Sequence, residues 1–267
     1  MDMAVPWEAK LGLGFGFDEG RTVLSEKRFD GPLVVQKPLY PEGEAVCHAI
    51  VVHPPAGIAG GDELELSARV AGQAHSLLTT PGAGKWYRSA GPRARQRLRF
   101  EVAGTMEWLP RETIVFDGAL AQLDCEVDLR GGGRYLGWEV LCLGRSGSGE
   151  RFEKGEIRID TKITRDGRLL WLERGRLDAG GRLMRSPAGL GGRTVSGTLV
   201  ATLAEPAAAV VSKCRELAAV TCLPGLLVAR YLGDSSEEAM EKFARAWEIL
   251  RPAVAGREAV RPRIWST

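Results

Sequence analysis

The chain has 267 residues, 44% of them hydrophobic and 26% charged, with 36 lysines and arginines against 34 aspartates and glutamates for a formal net charge of +2. That balance excludes a global field for nucleic acid or an anionic membrane, and no apolar run approaches the roughly 18 residues that a membrane span requires. The 34 glycines, nearly twice the usual share of about 7%, predict a chain of many tight turns.

The opening "MDMAVPWEAK" carries an acid at position 2 and no apolar leader segment, so the expectation is a cytoplasmic protein. The five cysteines (Cys47, Cys125, Cys142, Cys214 and Cys222) are odd in number and scattered, which predicts buried thiols in a reducing compartment. From about Gly12 to Gly197 the pattern is that of a β protein. "DELELSARV", "RLRFEV", "IRIDTKI" and "RLLWLER" alternate with period two, and "AQLDCEVDL" puts Ala121, Leu123, Cys125, Val127 and Leu129 on one side. Turn signals separate them at Gly60-Gly61, Pro81-Gly82, Asp117-Gly118, Gly131 to Gly133 and Ser146 to Gly149, and Asp166-Gly167 predicts a hairpin.

Helix signals come late. Pro206 begins a run through Val210, Cys214 and Leu217, and "GLLVARYLG" then reads as a strand. A capping box from Ser235 to Glu238 opens a second helix in which Met240, Phe243, Trp247 and Leu250 recur at helical spacing until Pro252 ends it. The stretch from Asp178 to Gly197 reads as loop. No composition shift cuts the chain, so residues 1–267 are expected to form one domain. No repeat of fixed period is visible, which argues against a solenoid on sequence alone.

Several stretches invite chemical readings. "TTPGAGKWYRS" has the Gly84-Lys85 of a phosphate-binding loop, but Thr79 replaces its first glycine and Trp86 its hydroxyl. Lys85, Arg88, Arg93, Arg95, Arg97 and Arg99 place six cations in fifteen residues beside Trp86 and Tyr87. Single-stranded nucleic acid is one reading of such a run. The alternation of Arg95, Arg97 and Arg99 fits better the outer face of a strand or a surface for an acidic protein. Cys47, His48 and His53 could ligate a metal by type, yet Cys47 and His48 face opposite ways in a strand and His53 diverges as well. In "HPPAGIAGGD", His53 and Asp62 flank a rigid turn that is either a sheet corner or a polar guide. Glu112, Asp117 and Glu139 sit in apolar strands, where a lone charge is costly. They are either ion-paired, with Arg111 or Arg145 as partners, or they line a wetted cavity.

Taken in order, "HPPAGIAGGD", "LLTTPGAGKWYRS", "LPRETIVFDGA", "GWEVLCLGR" with "FEKGEIRI", "VSGTLVATL", "LLVARYLG" and the terminal "LRP" to "RPRIWST" resemble the UreD (UreH) urease accessory family, from about Phe29 to Thr267. The resemblance implies a mainly β, β-helical arrangement of many strands with two α-helices in the C-terminal half. It implies a maturation scaffold, not an enzyme, that binds apo-urease and works through UreF with the GTPase UreG, assembled as a dimer of heteromers. No cofactor is expected to be tightly bound; nickel is a transient cargo that passes through an internal tunnel. Spaced single groups suit such a passage better than a converged cage, so His53, Asp62, Glu112 and Glu139 become transit candidates. The family places its UreF contact toward the C-terminus. Arg263, Ile264 and Trp265 are therefore candidate partner residues, followed by the exposed face of the Ser236 to Leu250 helix with Phe243 and Trp247. The alternative is a phosphate- or nucleotide-handling enzyme using Lys85 and Glu112.

Overall fold

The computed structural model describes residues 6–203 and 205–266. The terminal residues 1–5 and Thr267, which the readings above touch, lie outside the described residues. Seven strands form a first sheet: β1 (Glu8–Asp18), β2 (Arg21–Asp30), β5 (Glu63–Val70), β8 (Ala94–Val102), β11 (Leu120–Leu129), β13 (Glu156–Arg165) and β14 (Arg168–Asp178). A second sheet holds β3 (Val34–Leu39), β4 (Cys47–Val52), β6 (His75–Thr79), β9 (Thr105–Leu109), β12 (Arg134–Leu143), β15 (Val195–Thr202), β16 (Ala219–Leu223) and β17 (Leu226–Gly233). The short strands β7 (Gly84–Trp86) and β10 (Thr113–Val115) attach at its side.

From β4 to β13 the chain alternates between the two sheets, and each strand pairs in parallel with its predecessor in the same sheet: β5, β8, β11 and β13 in one, β4, β6, β9 and β12 in the other. This is a β-helical coil in two layers. Antiparallel strands finish it, with β2 and β14 at the edges of the first sheet and β3, β15, β17 and β16 extending the second. The coils differ in length. Glu63 pairs with Arg95 (32 residues on), Ala94 with Ala121 (27), Leu120 with Glu156 (36), and His75 with Thr105 (30). A repeat whose step wanders this far leaves no fixed period in the sequence, so the argument against a solenoid is overturned by the pairing itself.

Strand and turn lengths both contribute to the variation, β12 being twice as long as β9. The turns from the first sheet to the second, residues 71–74, 103–104 and 130–133, are short and stack by backbone hydrogen bonds such as Thr105 N to Ala74 O and Arg134 N to Gly104 O, both 2.8 Å. At Gly133 an added Cβ would lie 2.1 Å from the Val102 carbonyl oxygen, so only glycine fits between stacked turns. The return turns, 53–62, 80–93, 110–119 and 144–155, are wide. Four of the motif stretches fall on them.

The apolar members of each alternating strand face inward between the sheets, where Leu13, Ala68, Phe100, Val127 and Ile163 follow one another across paired strands. On the outer face of the first sheet the arginines of β8 lie between acids of β5 and β11: Arg97 reaches Glu63 at 2.9 Å, Arg99 reaches Glu65 at 3.0 Å and Arg95 reaches Asp124 at 2.6 Å. The run of cations is thus a strand face that its neighbours largely neutralise. The Asp166-Gly167 hairpin is present, with φ of 48° and 80° suited to its tight turn.

Helix α1 (Arg182–Arg185) is a single turn inside the stretch expected to be loop, and α2 (Ala208–Arg215) and α3 (Ser236–Ala255) follow. In α3, Ser235 Oγ accepts from Glu238 N at 3.1 Å as the capping box requires. The helix does not stop at Pro252 but continues to Gly256, whose φ of 68° closes it. A proline near a helix end forfeits one backbone hydrogen bond, and the tertiary contacts of Leu250 and Val254 outweigh that loss. No helix among the described residues is long and apolar enough to cross a membrane.

Candidate functional site

Between the sheets lies a cavity of about 260 Å³. One end is lined by the wide turns, with His53, Lys85, Arg111 and Thr113 among its residues. At the other end polar side chains interrupt the inward rows. Cys125, Thr161 and Glu173 are successive register partners on β11, β13 and β14. Facing them, Glu139 and Thr198 are partners on β12 and β15, and Thr198 pairs in turn with Arg230 on β17.

Glu139 is the centre of this arrangement. It makes no hydrogen bond or ion pair among the described residues, in contrast to Glu173, whose Oε1 accepts from Arg230 Nη1 at 2.8 Å. Burial, and secondly the charge of Glu173, push the Glu139 carboxyl up from 4.5 to about 7. Burial also raises the Cys125 thiol, helped by Glu139 and Glu126, and raises the Tyr135 phenol well above its ordinary value, helped by Cys125 and Glu139. Thiol and phenol therefore stay neutral at neutral pH, while Glu139 exchanges a proton there. The indole nitrogen of Trp171, on the cavity wall, is buried without a hydrogen-bond partner among the described residues. The chamber can thus hold water or a passing cation through single oxygens. Among the described residues no three histidine, cysteine or acidic side chains converge as a metal cage.

The other transit candidates divide. His53 lines the turn end of the cavity, its Nε2 buried with no hydrogen-bond partner among the described residues and its pKa lowered by burial against the opposing charge of Asp62. Asp62 is buried but lies outside the cavity lining: Oδ1 accepts from Trp7 N at 2.9 Å and Oδ2 from Ala59 N at 2.7 Å, so it fastens the turn. Glu112 is also outside the lining, with Oε2 buried 3.5 Å from Arg111 Nε, the first of its two expected partners; Arg145 pairs instead with Glu150 at 2.6 Å. Of Lys85 and Glu112, only Lys85 lines the cavity. Asp117 accepts from Glu153 N and Lys154 N at 2.8 and 2.7 Å, again fastening a turn. Cys47 and His48 do face opposite ways: Cys47 joins the core between the sheets, and His48 meets Glu42 on the other side at 2.5 Å. Cys222 departs from the expected burial, lying exposed on the edge strand β16.

The C-terminal candidates are corrected in part. Phe243 and Trp247 are fully buried, forming with Trp138, Leu199 and Leu250 a second core between α3 and the outer face of the second sheet. They lie on the apolar side of the helix because their spacing selects that side. The exposed side carries Glu237, Glu238 and Arg245. Trp265 folds back, its ring 5.6 Å from that of Trp138 and 5.7 Å from that of Trp247, with Nε1 donating to Thr79 Oγ1 at 2.8 Å. It remains half-buried, Ile264 likewise, and Arg263 is exposed. Arg261 ties this arm to α3 through Glu248 at 2.6 Å and Glu241 at 2.8 Å.

Sequence reasoning missed Cys125, Thr161, Glu173, Thr198 and Arg230 as a group. The signal was present as breaks in alternation: Thr161 among Ile157, Ile159 and Ile163, and Glu139 between Tyr135 and Leu141, occupy phases where apolar residues belong.

Comparison with known proteins agrees with these observations. The family model described as "UreD urease accessory protein" matches residues 8–266. The chain is 54% identical to the urease accessory protein UreD of Dechloromonas aromatica (strain RCB), covering 98% of this chain and 95% of that protein. It is 53% identical to that of Azoarcus sp. (strain BH72), covering 98% and 94%, and 48% identical to that of Methylobacillus flagellatus, covering 98% and 95%.

Proposed function

Because the chain belongs to the UreD family of urease accessory proteins, we propose that it binds apo-urease and, with UreF and through it UreG, supports GTP-dependent delivery of nickel to the urease active site. The whole chain acts in this as one cytoplasmic domain, within a dimer of heteromers built through UreF and UreG, and nickel is cargo that travels through the cavity between the sheets. The observation that carries the reading is Glu139, a carboxyl in that cavity with no ion-pair partner among the described residues, opposite Glu173.

The chemistry of passage favours it. A divalent ion sheds its water reluctantly and must be released again, so isolated carboxyl and hydroxyl oxygens spaced along a wet channel move it better than a closed ligand set. Glu139, Glu173, Thr161 and Thr198 offer such oxygens, and His53 stands at the turn end. Asp62 and Glu112 have no part in this passage, being occupied in turns. For partner contact the support is the exposed Arg263 and half-buried Ile264 beside α3, with Trp265 serving to hold the arm.

The experiment is activation of nickel-free urease in cells that carry or lack this chain, with co-purification of urease, UreF and UreG on the tagged protein. The reading expects co-purification and loss of active urease without the chain. Full urease activity in its absence discards the proposal.

A further inference from the structure

At the far end of the cavity one side chain links the two sheets. Arg230 comes from β17, in the second sheet, and crosses to the first, where Nη1 donates to Glu173 Oε1 at 2.8 Å while also donating to Thr198 Oγ1 at 3.1 Å. Glu173 and Thr198 line the cavity; Arg230 does not, and its side chain is 46% exposed. Its guanidinium also lies 5.6 Å from the Trp171 ring centroid. The arginine therefore stands on the solvent side of Glu173.

We propose that Arg230 is the exchangeable counter-ion of a divalent-cation position between Glu139 and Glu173: in the empty chain its guanidinium occupies Glu173 and closes the cavity, and a cation seated between the two carboxylates releases it. The proposal rests on the conduit reading and says how the conduit is kept shut. Two carboxyls lining one cavity are eased either by a proton or by positive charge between them, and of the two only Glu173, 25% exposed, has a cationic partner among the described residues. A guanidinium cannot leave by losing its proton, so it yields Glu173 only by moving as a whole. With nearly half of its side chain in water, Arg230 has an outward rotamer at small cost in solvation, and the Trp171 face can still hold it by cation–π attraction. The arriving ion gains two carboxylate oxygens, with the Thr161 and Thr198 hydroxyls and water completing its shell. That set is too sparse to trap it.

The test is titration of Ni2+ into the full-length chain against a chromophoric chelator, for wild type and for Arg230→Met, Arg230→Gln, Arg230→Lys and Glu139→Gln. Removing the rival charge in either Arg230→Met or Arg230→Gln is expected to tighten Ni2+ binding about tenfold or more, the worth of a charged hydrogen bond. Arg230→Lys should stay near wild type, and adding Glu139→Gln to Arg230→Met should abolish the gain. The counter-ion proposal is overturned if both neutral variants bind Ni2+ no tighter than wild type while Glu139→Gln weakens binding, an outcome that leaves the conduit standing. Should Glu139→Gln also leave Ni2+ binding unchanged, the conduit reading falls with it.

Discussion

Arg251 has no exposed surface, and its guanidinium is shared between two buried acids. Nε meets Glu107 at 3.0 and 3.1 Å, Nη1 and Nη2 meet Glu42 at 2.5 and 2.8 Å, and the Glu258 carbonyl accepts as well. His75 and Trp247 complete the shell of Glu107, and His48 that of Glu42. Arg251→Met would leave both carboxylates without their shared cation, so urea unfolding should show a loss of roughly 3–5 kcal/mol; a loss below about 1 kcal/mol would mean that the network is not holding α3 to the sheet. Burial opposes ionisation of Glu42, but the hydrogen bonds from His48 and Arg251 win and bring it down to about 2. A carboxyl depressed in the folded state stabilises above its unfolded value, so this contribution fades as pH falls from about 4.5 toward 2. Glu139 has the opposite sign. Its folded value near 7 means that the native chain holds the proton more tightly, so stability drops as pH rises from about 4.5 to 7, by an amount on the order of 2–3 kcal/mol. Glu139→Gln should flatten that slope while leaving the acid limb unchanged, and a parallel profile would show that Glu139 ionises freely.

At the scale of elements, the alternation of "AQLDCEVDL" suffices to place β11, and Asp166-Gly167 suffices for the hairpin, because both signals are local. The capping box of α3 is legible for the same reason. Ser235→Ala should cost about 1 kcal/mol in thermal or urea unfolding, and no measurable change would mean that the Ser235 to Glu238 contact contributes nothing. Less legible is anything settled by a neighbour distant in sequence. Pro252 reads as a stop until Leu250 and Val254 are seen packed in the second core. Phe243 and Trp247 read as interface residues until the sheet beneath them is known. Arg251 is one turn beyond Trp247 on the same apolar side, and that misplaced charge was the sequence signal for the network. Turn chemistry separates the two ends of the coil. Gly133→Ala, 2.1 Å from a backbone oxygen, should destabilise strongly, whereas an insertion at the exposed residues 146–149 should leave the melting temperature within a degree or two.

For the whole molecule, a coil whose steps run from 27 to 36 residues stacks its short turns at one end and gathers its wide turns at the other. Per-repeat insertions of this kind commonly build a working face. Here they carry four of the motif stretches and frame the end of the cavity holding His53, Lys85 and Arg111. The polar residues that break the inward pattern, Glu139, Thr161, Glu173 and Thr198, line the same cavity. Family membership establishes the accessory role, and the geometry supports passage through the interior. The most direct measurement is the nickel content of urease matured with Thr161→Trp, which fills the cavity from within and leaves the outer faces untouched. With circular dichroism and melting temperature matching wild type, the account predicts normal co-purification with urease but little nickel at its active site. Urease loaded to the wild-type level by that variant would contradict it.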